Sequence, residues 1–214
     1  MTSFLAKYKI FILIPILALM SFTFAPEYVG KLLKKQKQTY DTITYLVDTL
    51  KSKINWRCDV HRGYVLLKSG EIKVVNNEVV AGYVIVKMDS IIDEDIDYEL
   101  MRLTLQNVLK SETFFDVKNY PETKFLIDHS GKTTDSTFFV QGDLMILGIV
   151  NCVGFNYQIN FQGDNLIIHS DEFNINRLYW GITSYSQHVA NSDKSYIVSD
   201  EIDFVIHLTA QKKR

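Results

Sequence analysis

Few residues of this chain have the type and spacing for covalent or metal chemistry. The five histidines, His61, His129, His169, His188 and His207, are scattered, with no second ligand at metal-site spacing and no base beside a nucleophile. Each reads as structural or exposed, and a reactive centre would have to be assembled in space from distant segments. Asp93, Glu94, Asp95 and Asp97 make an acidic run that lacks the glycine and terminal glutamate of a calcium loop. Those acids read instead as the start of a helix, whose dipole favours negative charge. Arg177, in NINRLYWGI, either pairs with an acid to close one end of the fold or meets a polar ligand head group at a pocket mouth. Pairing is the expectation, because a buried guanidinium without a carboxylate is costly, and Asp116 is the candidate partner. No catalytic residue, metal ligand or cofactor is expected, and a proton-transfer role for His61 or a nearby acid is the remaining enzymatic alternative.

The aromatic residues make a better case, for binding rather than reaction. In LKSETFFDVKNYPETKF, Leu109 to Phe125, the adjacent Phe114 and Phe115 cannot share one face of a strand, which points to a junction wrapped by apolar surroundings. Pro121 biases Tyr120 away from helix and leads into an extended stretch with Phe125 and Ile127 on one side. Phe114, Phe115 and Phe125 are the candidates for a cavity wall; the alternative is that they complete a core. Each ring buries ~150–250 Å² either way. Trp56 and Tyr157 are weaker candidates, since the indole and phenol need polar partners if buried.

The elements that position these residues are mostly strands. The segment Asp93 to Leu109 predicts a short amphipathic helix with Ile96, Leu100 and Leu103 on its apolar side. Phe138, Val140, Leu144 and Ile146 share a face through Gly142, where a missing side chain permits a bend or close approach. Val153, Phe155, Tyr157, Ile159 and Phe161 alternate with polar neighbours, as do Ile202, Phe204, Ile206, Leu208 and Ala210. EVVAGYVIVKMDSI, from Glu78, is apolar on both faces and predicts a strand covered on both sides, with the helix as one cover. Turn signals at Lys68-Ser69-Gly70, Asn76-Asn77, Ser130-Gly131 and Gln162-Gly163-Asp164 divide the runs into antiparallel hairpins. The pattern is a barrel or a sandwich, and periodicity alone does not choose between them.

A net charge of -2 with pI near 6.2 supplies no basic field, so nucleic acid is not an expected partner. At the amino terminus Lys7 and Lys9 precede the apolar run Ile10 to Met20 and a small-residue exit with Thr23 and Ala25, a secretory signal pattern. An uncleaved N-terminal membrane anchor is the lesser alternative, since a spanning helix needs about 20 apolar residues and this run falls short of that unless Ser21 to Ala25 are counted in. The basic run Lys31 to Lys37 reads as a solvated linker. Alternation groups Cys58 with Ile54, Trp56 and Val60 but Cys152 with the polar Asn156, Gln158 and Asn160, which speaks against a disulfide between them.

Several segments together resemble the YceI-like family of lipocalin-like bacterial proteins associated with polyisoprenoid binding. LKSETFFDVKNYP resembles its leucine-lysine-serine run, paired phenylalanine, aspartate and tyrosine-proline turn. DTLKSKINW resembles its opening strands and HRGYVLLKSGEI its histidine-bearing hairpin. GDLMILGIVNCVGF and FNINRLYWGI resemble its later strands and arginine-bearing turn. The resemblance implies an all-β, eight-stranded antiparallel lipocalin-like barrel with a short helical insertion beside its cavity. It further implies an exported binder or carrier of a long-chain amphiphile such as an isoprenoid quinone or polyisoprenoid, not an enzyme. His61 and Arg177 join the three phenylalanines as candidate ligand residues on this basis. Together with the amino-terminal pattern, this gives a signal peptide at 1–25, a linker at 26–44, the barrel domain at 45–210 and a basic tail at 211–214, with the mature protein periplasmic or secreted; transient contact with an anionic membrane surface is the alternative reading of the basic run Lys31 to Lys37. The chain departs from the family at Val108, where histidine is common, and at Met145 and Val150, where threonine is frequent. These apolar replacements leave open a structural or interaction module whose interior they fill.

Cleavage predicts a mature chain beginning near Pro26, which intact-mass measurement of the exported protein checks. Recovery of the full-length chain in the inner membrane would support the anchor instead.

Overall fold

The computed structural model describes residues 41–193 and 196–214. The expected signal peptide, most of the linker and the basic run Lys31 to Lys37 lie outside the described residues. Among the described residues no helix is long and apolar enough to cross a membrane. The strands are β1 (Ile43–Val47), β2 (Lys53–Cys58), β3 (His61–Val75), β4 (Glu78–Lys87), β5 (Ile92–Asp93), β6 (Glu122–Lys132), β7 (Phe138–Ile146), β8 (Ile149–Gln162), β9 (Asn165–Ser170), β10 (Phe173–Asn176) and β11 (Glu201–Lys212). Among the described residues one α-helix, α1 (Glu99–Lys110), interrupts them between β5 and β6.

All pairings are antiparallel, and β2-β3-β4-β6-β7-β8-β9-β11 form a ring of eight that closes where β11 pairs with both β9 and β2. Closure removes exposed sheet edges, as in lipocalin-like barrels. Three positions of the ring are each shared by two strand segments. β1 and β2 both lie between β3 and β11, with Tyr45 opposite Ile72 and Lys212 while Trp56 is opposite Gly63 and Phe204. β5 continues β4 along β3 after a 3-10 turn at Met88–Ser90, and β10 continues β9 along β11. Strand pairing begins at Ile43 and ends at Lys212, slightly past 45–210 at both ends.

Alternation places the expected faces inward on β7, β8 and β11, where Val140, Val153, Phe155, Tyr157 and Leu208 are buried. Four expectations need correction. α1 begins at Glu99, not Asp93, because Asp93 pairs in β5 and its side chain accepts a hydrogen bond from the Ile96 amide, holding 93–96 in a turn. Leu100 and Leu103 consequently face solvent, at 70% and 46% exposure, and Leu105, Val108 and Leu109 face the barrel. Lys68-Ser69-Gly70 is a bulge within β3, not a turn; a side chain at Gly70 would meet Val47 at 2.6 Å, so this glycine serves close packing of β1. Ser130-Gly131 remains inside β6, and the chain reverses over 133–137, where Thr133 and Thr134 amides bond to the Thr137 carbonyl. β4 is not covered on both sides. An irregularity near Val79 turns Val79, Val84 and Val86 inward and leaves Val80 and Tyr83 exposed, while α1 sits at the end of the barrel beside β5. The turns at Asn76-Asn77 and Gly163 stand as expected, each with positive φ.

Gly63 marks the tightest approach, since a Cβ there would lie 1.8 Å from the Ile92 carbonyl oxygen and 2.9 Å from the Trp56 ring. Gly63→Ala should therefore push β5 off β3 and lower unfolding free energy by about 1–3 kcal/mol. Urea denaturation checks this, and an unchanged midpoint would refute the contact.

Candidate functional site

Inside the barrel lies a cavity of about 760 Å³. Its wall is built from inward residues of all eight ring strands, including Ile54, Val84, Ile127, Leu144, Val153, Ile168 and Ile206. Tyr45, Val74, Phe138, Leu166 and Ala210 are buried but absent from that wall, so they pack one end solid. At the other end the lining comes from α1, the Asp59-Val60 turn, Ile182, Tyr185 and Tyr196 to Val198, which together form the mouth.

Phe115 and Phe125 are half-buried and line the cavity. Phe125 begins a run of rings across the interior: Phe125 to Phe155 at 5.6 Å, Phe155 to Phe173 at 4.3 Å, and Phe173 to Phe204 at 5.9 Å between centroids. Phe155, Phe173 and Phe204 belong to the site as much as Phe125 does, and strand parity on β8 and β11 was the signal for two of them. Phe114 also touches the cavity, wedged between Tyr185, 6.0 Å away and stacked, and the Arg177 guanidinium at 5.8 Å. Trp56 and Tyr157 line it too. The Tyr157 hydroxyl bonds Ser130 Oγ at 2.8 Å, whereas the Trp56 indole N–H is buried without an acceptor among the described residues.

Val108 is on the wall, but Met145 and Val150 are cross-strand partners outside it, with Val150 52% exposed. They do not fill the interior.

Arg177 reaches the cavity only with its donors already committed. Its Nε donates to the Ser199 carbonyl at 2.9 Å, one terminal nitrogen to Ile182 and Ser184 at 2.8 and 2.9 Å, and the other to Val198 at 3.2 Å. Its acid is Asp200, at 3.0 Å, not Asp116. Asp116 lies in the turn after α1, with φ of 39°, and accepts from Asn119. Asp200 also accepts from Ser186 Oγ at 2.9 Å and has His188 Nδ1 at 2.7 Å. Ser186 is fully buried in this arrangement, which suits it to holding the loop and not to attacking a substrate.

Cys58 and Cys152 are both free. Cys152 is exposed, while Cys58 lines the cavity and donates to the Ser199 carbonyl at 3.7 Å. Burial, with help from Asp59, pushes the Cys58 thiol up to about 11, so it stays protonated and is a poor nucleophile.

His61 lines the cavity rim and, against the sequence expectation, has acidic partners: Asp95 Oδ2 at 3.1 Å and Asp93 Oδ2 at 3.9 Å from its Nδ1. The acids of the run are thus not helix-start residues. No local spacing signals this cluster, because the pairing of β5 with β3 creates it.

Residues 45–210 match the family described as the YceI-like domain. The chain belongs to that family. The eight-stranded ring and the single helix between β5 and β6 agree with the lipocalin-like barrel that the resemblance implied. Among solved structures, Burkholderia cenocepacia BcnA is similar over 77% of this chain and 99% of its own, with TM-score 0.62 and 19% identity. A polyisoprenoid binding domain from Saccharophagus degradans, implicated in plant cell wall breakdown, is similar over 79% of this chain and 98% of its own, with TM-score 0.52 and 10% identity. The Campylobacter jejuni YCEI protein covers 64% of this chain and 75% of its own, with TM-score 0.50 and 19% identity. At these identities the likeness is one of fold. None of the curated proteins matches this chain in sequence.

Burial raises the Asp200 carboxyl, but hydrogen bonds from His188 and Ser186 and the Arg177 charge outweigh it and hold the carboxyl below the ordinary value of 3.8. The folded state then binds fewer protons than the unfolded one, so this contribution is complete above about pH 4 and is lost as pH falls through the depressed folded value. Urea midpoints measured from about pH 5 down to about pH 2 should fall more steeply for the wild type than for Asp200→Asn. Parallel curves would show that Asp200 is not a linked group.

Proposed function

We propose that this protein binds, non-covalently, a long-chain amphiphile of the isoprenoid quinone or polyisoprenoid class and acts as its carrier or reservoir. The observation that carries the reading is the 760 Å³ cavity with an almost wholly apolar wall, packed at one end and open at the other. That size falls within the range of small-molecule sites. Each 100 Å² of hydrocarbon taken from water contributes about 2.5 kcal/mol, so a chain can be held by burial alone. The family membership and the fold shared with a polyisoprenoid binding domain support the same reading.

The polar groups near the mouth support binding over turnover. Arg177 is spent on backbone carbonyls and Asp200, Ser186 is locked to the same acid, and the Cys58 thiol is protonated. A filled structural module is disfavoured because Met145 and Val150, two of the three residues that would fill the interior, point away from it.

Val60, Tyr196 and Ile197 border the cavity and are 78%, 76% and 58% exposed, giving the mouth an apolar rim suited to transient contact with a membrane that supplies the ligand. The amino-terminal pattern supports export to the periplasm or beyond, through a cleaved signal or on a retained anchor.

Mass spectrometry of organic extracts from natively purified protein should recover an isoprenoid chain. Phe115→Ala should lower the ligand recovered per folded molecule. If Phe115 only completes the core, the change would cost roughly 3–5 kcal/mol of stability and leave occupancy of the surviving folded protein unchanged, which would refute the proposal.

A further inference from the structure

The cluster of His61, Asp93 and Asp95 at the cavity rim has the organisation of a metal site. Its three side chains come from two segments brought together where Gly63 pairs with Asp93. Each carboxylate is oriented by a backbone amide on one oxygen: Asp93 Oδ1 accepts from Ile96 at 3.0 Å and Asp95 Oδ1 from Arg62 at 2.7 Å. Each then presents its other oxygen to the same nitrogen of His61, and the three ligand atoms lie within 4.8 Å of one another. Such outer hydrogen bonds are what hold ligating carboxylates in place at metal sites.

Asp93 supplies an independent sign that something is to be bound. Its side chain is 0% exposed, yet Oδ2, the oxygen that faces His61, has no hydrogen-bond donor among the described residues. A buried, unpartnered carboxylate oxygen is costly unless a proton or a cation satisfies it. The spacing suits a cation. Two ligands about 2.1 Å from a tetrahedral zinc ion lie about 3.4 Å apart, and the 3.1 and 3.9 Å separations from His61 Nδ1 bracket that edge. One imidazole with two carboxylates selects zinc or manganese over magnesium or calcium, which prefer oxygen alone. His61 is 38% exposed on its side chain, so an ion can reach the site from solvent.

We propose that His61, Asp93 and Asp95 bind one divalent cation of the zinc or manganese type at the rim of the cavity. The competing arrangement is a proton on Asp93 shared with Asp95; burial raises the Asp93 carboxyl and the neighbouring acid adds to it, which is the state a cation would displace. A histidine pair elsewhere on the barrel, His169 and His207, with Nδ1 atoms 3.0 Å apart across β9 and β11, provides the control.

Metal-stripped mature protein titrated with Zn²⁺, followed by calorimetry and by elemental analysis after dialysis, should bind one ion per chain. His61→Gln and Asp95→Asn should each weaken that binding at least tenfold, and His169→Gln should leave it unchanged. Both substituted side chains are partly exposed, and circular dichroism of each variant confirms that it is folded. Absence of stoichiometric binding, wild-type affinity in either rim variant, or loss in His169→Gln would overturn the proposal. None of these outcomes bears on whether the cavity holds an isoprenoid, which is read separately from organic extracts.

Discussion

The end of the barrel depends on one buried cation. Among the described residues, the long connection between β10 and β11 has no regular structure beyond a 3-10 turn at Arg177–Trp180, a kind of connection that is costly to order and uncommon in compact domains. Arg177 offsets that cost by taking carbonyls from both ends of the same loop: Ile182 and Ser184 as the chain leaves β10, Val198 and Ser199 as it returns. Asp200 then neutralises the guanidinium and, through Ser186 and His188, ties down the middle of the loop. Removing either charge leaves the other buried, a defect worth about 3–5 kcal/mol. Lysine is no substitute, because a point charge cannot spread donors over four carbonyls in a plane.

That fixed loop is also what shapes the mouth. Ser184 Oγ bonds the Thr113 carbonyl at 2.9 Å, and Phe114 lies against Arg177 and Tyr185, so the turn after α1 is fastened to the loop. The Ser199 amide donates to Asp59 at 2.7 Å, fastening the turn between β2 and β3 as well. Phe114 is thus an anchor and Phe115, its neighbour, is left facing the cavity. Two adjacent phenylalanines divide the work because consecutive side chains at a junction point to different places.

The legible part of the sequence was whatever alternation or turn chemistry controls. The inward faces of β7, β8 and β11, the Asn76-Asn77 and Gly163 turns and the opposite parity of the two cysteines all follow from period two and from residues that accept positive φ. Where a bulge intervenes, the count fails: β4 switches faces near Val79, and Ser69-Gly70 mimics a turn while β3 runs on. The start of α1 is not legible because acids before an apolar run look like a helix cap, although β5 uses Asp93 for pairing first. The partners of Arg177 and His61 were illegible for a different reason. Asp200 is distant from Arg177 in the chain and Asp93 from His61, and nothing local encodes contacts made by closure of a sheet.

Closure also explains how the barrel tolerates its own interior. At roughly 24 cal/mol per Å³, a dry void of 760 Å³ would cost on the order of 18 kcal/mol, more than the whole stability of a typical domain. The space avoids that cost in part by opening at the mouth, so it is not a sealed void. Water entering at the mouth finds few groups to bond along a wall of Val, Ile, Leu and Phe, whereas a hydrocarbon chain recovers the dispersion contacts that a packed core would have supplied. The rigidity needed to keep the wall apart comes from elsewhere: from hydrogen-bond ladders with no free edge, from the packed end around Tyr45, Leu166 and Ala210, and from the Arg177 staple at the other end. With both ends fixed, the middle of the barrel keeps an apolar cavity open without packing of its own across it.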